Sequence, residues 1–460
     1  MDDRKNLFET MPVGKALMKM AVPTVISQLI TMVYNLADTY FIGQTDNPYM
    51  VAASSLSYVL FFTMTALANL FGVGGGSLIS RLLGQNRREE AKKVCAFSFY
   101  GMIAVAAVYS GLVFGFMETV LRWLGATVNT MPYAKEYTLF VVVCGGIPSC
   151  MSMIMAHLLR SEGRAKYASF GLGMGGVLNL LLDPLFMFVI MEPGKEVMGA
   201  AIATMLSNIA SMLFFMAVFS RLGKDTVLSR SIRRCNPGKT AIFSVLAVGL
   251  PSAIGSMLSS VSNMVINRLM AGHDDFAVAA MGIVKKLDML PMCVSMGLCQ
   301  AMVPLVAYNY SAKNYKRMKS FSRTARLSAM GFAMLCIVVF ELFAPQITRM
   351  MIGDAQTVDY ATDFLRIAVL ATPLMGFNVM TSFSFQAMGK GAKSLFLSSC
   401  RQGLFNIPLL FLMNALMGPY GVASTQVLAD GITLCVSLLL SRQLYAQLRR
   451  EEALLQGETI

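Results

Sequence analysis

Along this 460-residue chain the apolar positions neither alternate like a half-buried strand nor form one stripe of a surface helix. They run on continuously for about twenty residues at a time, enough for a helix to span the hydrocarbon core of a bilayer. Twelve such segments are predicted, at roughly 17–43, 51–80, 94–116, 133–159, 167–190, 198–220, 242–270, 277–308, 320–343, 359–388, 395–416 and 420–441. The expected fold is an all-α integral membrane protein of twelve transmembrane helices.

Composition agrees with this reading. The chain is 56% hydrophobic with a mean hydropathy of +0.61, and only 14% of its residues are charged, against about 25% in soluble domains. The net charge of +13 raises the possibility of a nucleic-acid partner. Its distribution excludes it: 30 of the 38 Lys and Arg fall before the first segment, after the last, in alternate breaks between segments, or within seven residues of these stretches. Arg81, Arg87, Arg88, Lys92 and Lys93 crowd one such break, whereas residues 44–50 carry none. By the positive-inside rule both termini are expected in the cytoplasm of a multi-pass plasma (inner) membrane protein. Residues 1–16 are too charged for a signal peptide, so the first apolar segment is expected to be retained. Nine scattered cysteines without a C-x-x-C pair, and only His157 and His273, give no disulfide framework, metal cluster or cofactor site.

The chain also repeats itself. Ala21-Val22-Pro23 matches Gly249-Leu250-Pro251, and Val51-Ala52-Ala53 matches Val278-Ala279-Ala280. Pro148 matches Pro373, and Gly163 matches Gly389. Leu182-Asp183-Pro184-Leu185 matches Asn406-Ile407-Pro408-Leu409, and Gly199-Ala200-Ala201 matches Gly421-Val422-Ala423. All six pairs keep their order at offsets of 222 to 228. Two parallel six-helix lobes are therefore expected, related by a pseudo-two-fold axis along the membrane normal. The division is an N-terminal lobe at 1–220, a basic cytoplasmic linker at 221–240, and a C-terminal lobe with a short cytoplasmic tail at 241–460.

Chemistry is sparse and therefore conspicuous. Asp38 lies in the first apolar segment, and an acid at membrane depth points to a functional site. Asn179 and Asp183 are four apart on one helical face, and Pro184 removes the N–H that would satisfy the Leu180 carbonyl. At about 1.5 Å per residue Asp38 lies about 28 Å beyond Lys19 and Asp183 about 26 Å beyond Lys166, while Thr204 lies about 9 Å into its segment from the outer end. All fall in the outer half of the membrane. Their repeat partners are Ile266 for Asp38 and Ile407 for Asp183, and no acid occurs in 242–270 or 367–388. The acids are thus expected to serve a site confined to the N-terminal lobe. In the eighth segment Lys285, Lys286 and Asp288 either wall a substrate cavity or, for the lysines, snorkel to the interface. The 38 methionines suit either adaptable apolar binding or helix packing. Gly72-Val-Gly-Gly-Gly-Ser77 lacks the Lys of a phosphate loop and reads as a close-packing stripe.

Several stretches together resemble the multidrug and toxic compound extrusion (MATE) transporters, from about residue 15 to 441. They are Pro23 with Asn35-Leu-Ala-Asp38-Thr-Tyr-Phe-Ile-Gly43, Pro132-Tyr-Ala-Lys-Glu-Tyr137, Asn179-Leu-Leu-Leu-Asp183-Pro184, Gly199-Ala-Ala-Ile-Ala-Thr204 and Tyr308-Asn-Tyr-Ser-Ala-Lys-Asn-Tyr-Lys316. The resemblance implies a central cavity and export of amphipathic, often cationic small molecules by an antiporter using H+ or Na+, not an enzyme and without a cofactor. It implies a coupling site at Asp38, Asn179, Asp183 and Thr204, as in members with acids in the N-terminal lobe. Gln28, Tyr34, Asn35, Lys285, Lys286 and Asp288 are candidates for the substrate cavity, and a monomer is expected. A flippase for a lipid-linked precursor or a dedicated metabolite exporter is the nearest alternative; an integral-membrane enzyme is a remote one.

Overall fold

The apolar runs become helices that overshoot them at one or both ends, because hydropathy marks the hydrocarbon layer whereas backbone hydrogen bonding continues into the headgroup region. The computed structural model describes residues 5–45, 47–223, 226–229, 231 and 234–456. The first three spans are α1 (Val13–Gly43), α2 (Pro48–Gly84) and α3 (Arg88–Gly115). After a short helix at Met117–Trp123 come α4 (Met131–Cys144 with Gly146–Ser161), α5 (Ala165–Ile190) and α6 (Glu196–Arg221). The second half supplies α7 (Lys239–Ala271), α8 (Asp275–Ser311), α9 (Tyr315–Met351) and α10 (Ala355–Val369 with Thr372–Ala387).

A last helical stretch, Gly391–Ala453, has 63 residues. At 1.5 Å per residue it would be about 95 Å long, three times the hydrocarbon thickness. It is broken at Gly418, whose φ of 57° and ψ of −136° only glycine adopts without strain, just before Pro419. We treat 391–417 as α11 and 419–456 as α12, which completes twelve crossings.

Two of the predicted spans, 133–159 and 359–388, are each bent by 45°. The breaks fall just ahead of Pro148 and Pro373, which sit in the first turn after each bend. Proline is tolerated there and disfavours helical backbone in the residue before it. The repeat is thus visible as a repeated bend.

The two halves meet along α2 against α7 and α1 against α8. A Cβ on Gly249 would strike the Leu70 carbonyl, and one on Gly74 the Val245 carbonyl, so these two glycines let α2 and α7 touch backbone to backbone. The Ser77 hydroxyl donates across the seam to the Gln386 carbonyl at 2.8 Å. These contacts lie in the half of the bundle nearest the termini.

On that same face the segment before α1 grips both halves. Leu7 and Phe8 are buried. They pack over Gly163, where φ is +83° and a side chain would meet them. Phe8 stacks on Tyr308 with ring centroids 4.6 Å apart. Its carbonyl accepts from Arg317 Nε at 2.8 Å and Asn309 Nδ2 at 3.2 Å. The connection between halves is anchored too: buried Glu162 accepts from Thr226 Oγ1 and the Val227 N–H, both at 2.6 Å.

Candidate functional site

Helix α5 is thinned by glycine where it meets α1. A Cβ on Gly176 would come within 2.9 Å of Ile30 Cγ2 and Tyr34 Cδ1. Gly176, Asn179 and Asp183 are spaced i, i+3, i+7 and share this face; Tyr34 and Asp38, four apart on α1, share the opposing one. Close approach of two helices therefore brings their polar groups together in the half of the bundle away from the termini.

Asp183 is fully buried and Asn179 nearly so, while Asp38 is partly exposed as a residue. The Asn179 amide donates to Asp183 Oδ1 at 3.0 Å and to Thr204 Oγ1 at 3.2 Å, which joins α5 to α6. Three buried oxygens, Asp38 Oδ1, Asn179 Oδ1 and Asp183 Oδ2, have no protein donor. The two carboxylates lie within electrostatic reach of each other, and Tyr34, Tyr58 and Tyr137 share their field. Two neighbouring buried acids without a protein cation repel unless a proton or metal cation joins them. Tyr58 and Tyr137 carry no intramembrane charge and so gave no signal from sequence; Tyr137 only closes one of the motif stretches.

The residues considered for the cavity are dispersed. Tyr34 joins the acid site, and Gln28 and Asn35 are half-buried on α1. Lys285 Nζ donates to Asn267 Oδ1 at 2.9 Å rather than pairing with Asp288. Lys286 is exposed. Asp288 lies within electrostatic reach of Arg401 and Asp430. None of the six lines a cavity of about 180 Å³ at mid-depth, mostly in the second half. That wall carries Ser256, Ser259, Asn378, Arg401 and Gln402 beside Met292 and Phe383, with His157 from α4.

Behind this wall stands an acid the sequence reading passed over. Asp430 on α12 is 0% exposed. Its Oδ1 meets Arg401 Nε at 2.7 Å, its Oδ2 accepts from Gln426 at 2.8 Å, and its carbonyl accepts from Asn378 at 2.9 Å. A buried acid is therefore present in the second half too, though not at Ile266 or Ile407, the repeat partners of Asp38 and Asp183. Arg401 was counted as a basic residue bordering a span, but its side chain is 15% exposed and inside the bundle. Arg160, counted likewise, is 3% exposed. Among the described residues no group of three His, Cys, Asp or Glu is placed to hold a metal ion, and all nine cysteines are unpaired.

The sequence profile of the MatE family matches residues 23–185 and again 251–412. The chain belongs to the MATE family. Two similar MATE proteins are each named multidrug export protein MepA. The one from Staphylococcus aureus is 31% identical over 439 residues, covering 95% of this chain and 96% of its own. That from Staphylococcus saprophyticus is 31% identical over 457 residues, covering 99% and 100%. Among solved MATE structures, one described as the outward-facing conformation of a multidrug resistance transporter superposes with a TM-score of 0.91 at 25% identity, over 98% of this chain and 99% of that one. As a MATE protein the chain is a secondary active efflux transporter embedded in a membrane, and not an enzyme.

Proposed function

We propose that the protein exports amphipathic, often cationic organic compounds across the plasma membrane in exchange for H+ or Na+, with Asp38, Asn179, Asp183 and Thr204 as the coupling site. The observation that carries this is the trio of buried, unpartnered oxygens on Asp38, Asn179 and Asp183. An oxygen-only cluster with two carboxylates suits a proton or a hard monovalent cation. Binding either one removes negative charge that would otherwise favour a cationic substrate, so ion entry and drug release are linked through one electrostatic field.

The cavity of about 180 Å³ is the proposed substrate pocket. Neutral polar groups with Met292 and Phe383 suit amphipathic ligands of varied shape. Arg401 on its wall is already matched by Asp430. The wall thus offers no surplus positive charge to a phosphorylated lipid, which disfavours the flippase reading. With both termini cytoplasmic, the seam closed at the termini face is the inner gate, and this is an outward-facing state. Lobes 1–220 and 241–460 then rock about the linker 221–240, in a monomer.

The test is efflux of a fluorescent organic cation from vesicles of purified protein, with proton and sodium gradients imposed separately. Export driven by one gradient and by neither control identifies the coupling ion. Export indifferent to both would overturn the proposal.

A further inference from the structure

On the termini face a groove of about 280 Å³ opens between the start of α9 and the end of α12. It is lined by Lys316, Lys319, Ser320 and Arg323 on α9 and by Glu452 on α12. Lys316 and Arg323 are exposed, and neither has an acid or hydrogen-bond partner among the described residues. Lys319 Nζ meets Glu452 Oε2 at 3.5 Å. Three cations thus line the groove against one carboxylate, and positive charge is in surplus. The next acid along α12, Glu451, accepts from the Tyr315 hydroxyl at 2.8 Å.

Beyond these cations the same side of α9 is apolar. Lys316 and Arg323 are seven apart, and Leu327, Met334 and Val338 follow at steps of four, seven and four, so all five share one face. Leu327, Met334 and Val338 are each more than half exposed. At 1.5 Å per residue the stripe from Leu327 to Val338 is about 17 Å long. It does not face the substrate pocket, whose lining contains no residue of α9. The inner side of α9, with Met318, Ser322 and Arg326, meets α10 and α12 around a separate small cavity. The stripe is therefore turned to the bilayer, and the basic groove lies at its termini end, at headgroup level. Arg317 points another way and holds the Phe8 and Met11 carbonyls.

We propose that this groove holds the headgroup of an anionic phospholipid from the leaflet on the termini side, with an acyl chain lying along Leu327, Met334 and Val338. The unmatched cations call for a phosphate, and the stripe decides which phosphate. A soluble phosphate would use Lys316 and Arg323 and leave the stripe idle, whereas an anionic lipid uses both. A zwitterionic lipid brings its own ammonium to the same cations and gains less. Glu452 positions Lys319 but repels the headgroup, so its carboxylate weakens the site. The groove lies on the outside of the bundle, apart from both the acid cluster and the substrate pocket. Its occupancy does not depend on which ion drives export.

The test is native mass spectrometry of the purified full-length protein, titrated in detergent with phosphatidylglycerol or with phosphatidylcholine of the same chains. Each basic residue at an anionic headgroup is worth roughly 5-fold in affinity. The wild type should prefer phosphatidylglycerol. The double variant Lys316→Gln with Arg323→Gln should bind that lipid about 25-fold more weakly, with phosphatidylcholine little changed. Glu452→Gln should bind it a few-fold more tightly, and the surface variant Arg87→Gln should match the wild type. A wild type without preference, or a double variant that keeps it, overturns the proposal. An equal loss in Arg87→Gln means general attraction to a basic face and also overturns it. Excess glycerol phosphate should leave the lipid bound; full displacement means that the groove reads a soluble phosphate, and the lipid assignment fails. Should the double variant not fold, Glu452→Gln and the glycerol phosphate competition decide.

Discussion

Asp183 on α5 and Asp430 on α12 are both 0% exposed, yet their oxygens keep different company. Asp430 has a fixed counter-ion in Arg401 and further donors in Gln426 and Asn378. Asp183 has one amide donor, an unpartnered Oδ2, and a second acid within electrostatic reach. At the repeat offset of 222 residues, Gln426 stands where Thr204 does and Asp430 where Asn208 does. One architecture thus buries an acid in each half with opposite consequences. An acid whose charge is cancelled within the protein is a structural joint. An acid left without a protein cation has to recruit one from solution, and only that kind can respond to an ion gradient.

The largest expected effect breaks the first half of this comparison. Asp38→Asn and Asp183→Asn should each reduce gradient-driven export in vesicles to the level of protein-free vesicles, while thermal stability in detergent stays the same or rises. Normal coupled export by either variant removes that residue from the coupling site.

The mirror experiment concerns the second half. Asp430→Asn removes the carboxylate bonded to Arg401, leaving only Asp288 within electrostatic reach, and should destabilise the protein by up to about 3–5 kcal/mol. The drop in unfolding midpoint should largely disappear in the double variant Arg401→Met with Asp430→Leu. If Asp430→Asn instead folds normally and loses coupling, the two acids are not different in kind, and the coupling assignment extends to both halves.

Smaller effects sharpen the picture. Asn179→Leu removes the donor to Asp183 Oδ1 and the link to Thr204, a loss of about 1–3 kcal/mol. It should appear as a roughly 5- to 150-fold rise in the ion concentration giving half-maximal export. Thr204→Val removes one hydroxyl at the edge of the cluster, about 0.5–1.5 kcal/mol, and should shift the same quantity only a few-fold. A larger effect for Thr204 than for Asn179 would move the centre of the site toward α6.

The legible features were those carried by local pattern. Apolar runs announced the spans, paired prolines announced the repeat, and the i, i+4 spacing of Asn179 and Asp183 put them on one face. The Asp430–Arg401 joint was hidden for a physical reason. Its partners are 29 residues apart on separate helices, and counting basic residues near span ends assigns Arg401 to the surface. The bends in α4 and α10 were missed because a 45° turn leaves mean hydropathy unchanged. The pocket wall was also illegible, since it is assembled from single serines, asparagines and glutamines on different helices, none of which forms a motif.

The clasp made by the segment before α1 bears on how the molecule is built during synthesis. Glu9 bonds to Tyr308, Phe8 to Asn309, and Leu7, Phe8 and Met11 to Arg317, partners 299 to 310 residues later in the chain. At about 5–20 residues per second the ribosome needs about 15–60 s to supply them. These residues are made long before their partners and are therefore among the last to be fastened. Until then Leu7 and Phe8 have only the first half to lean on, and the finished clasp records that both halves have been made and have met.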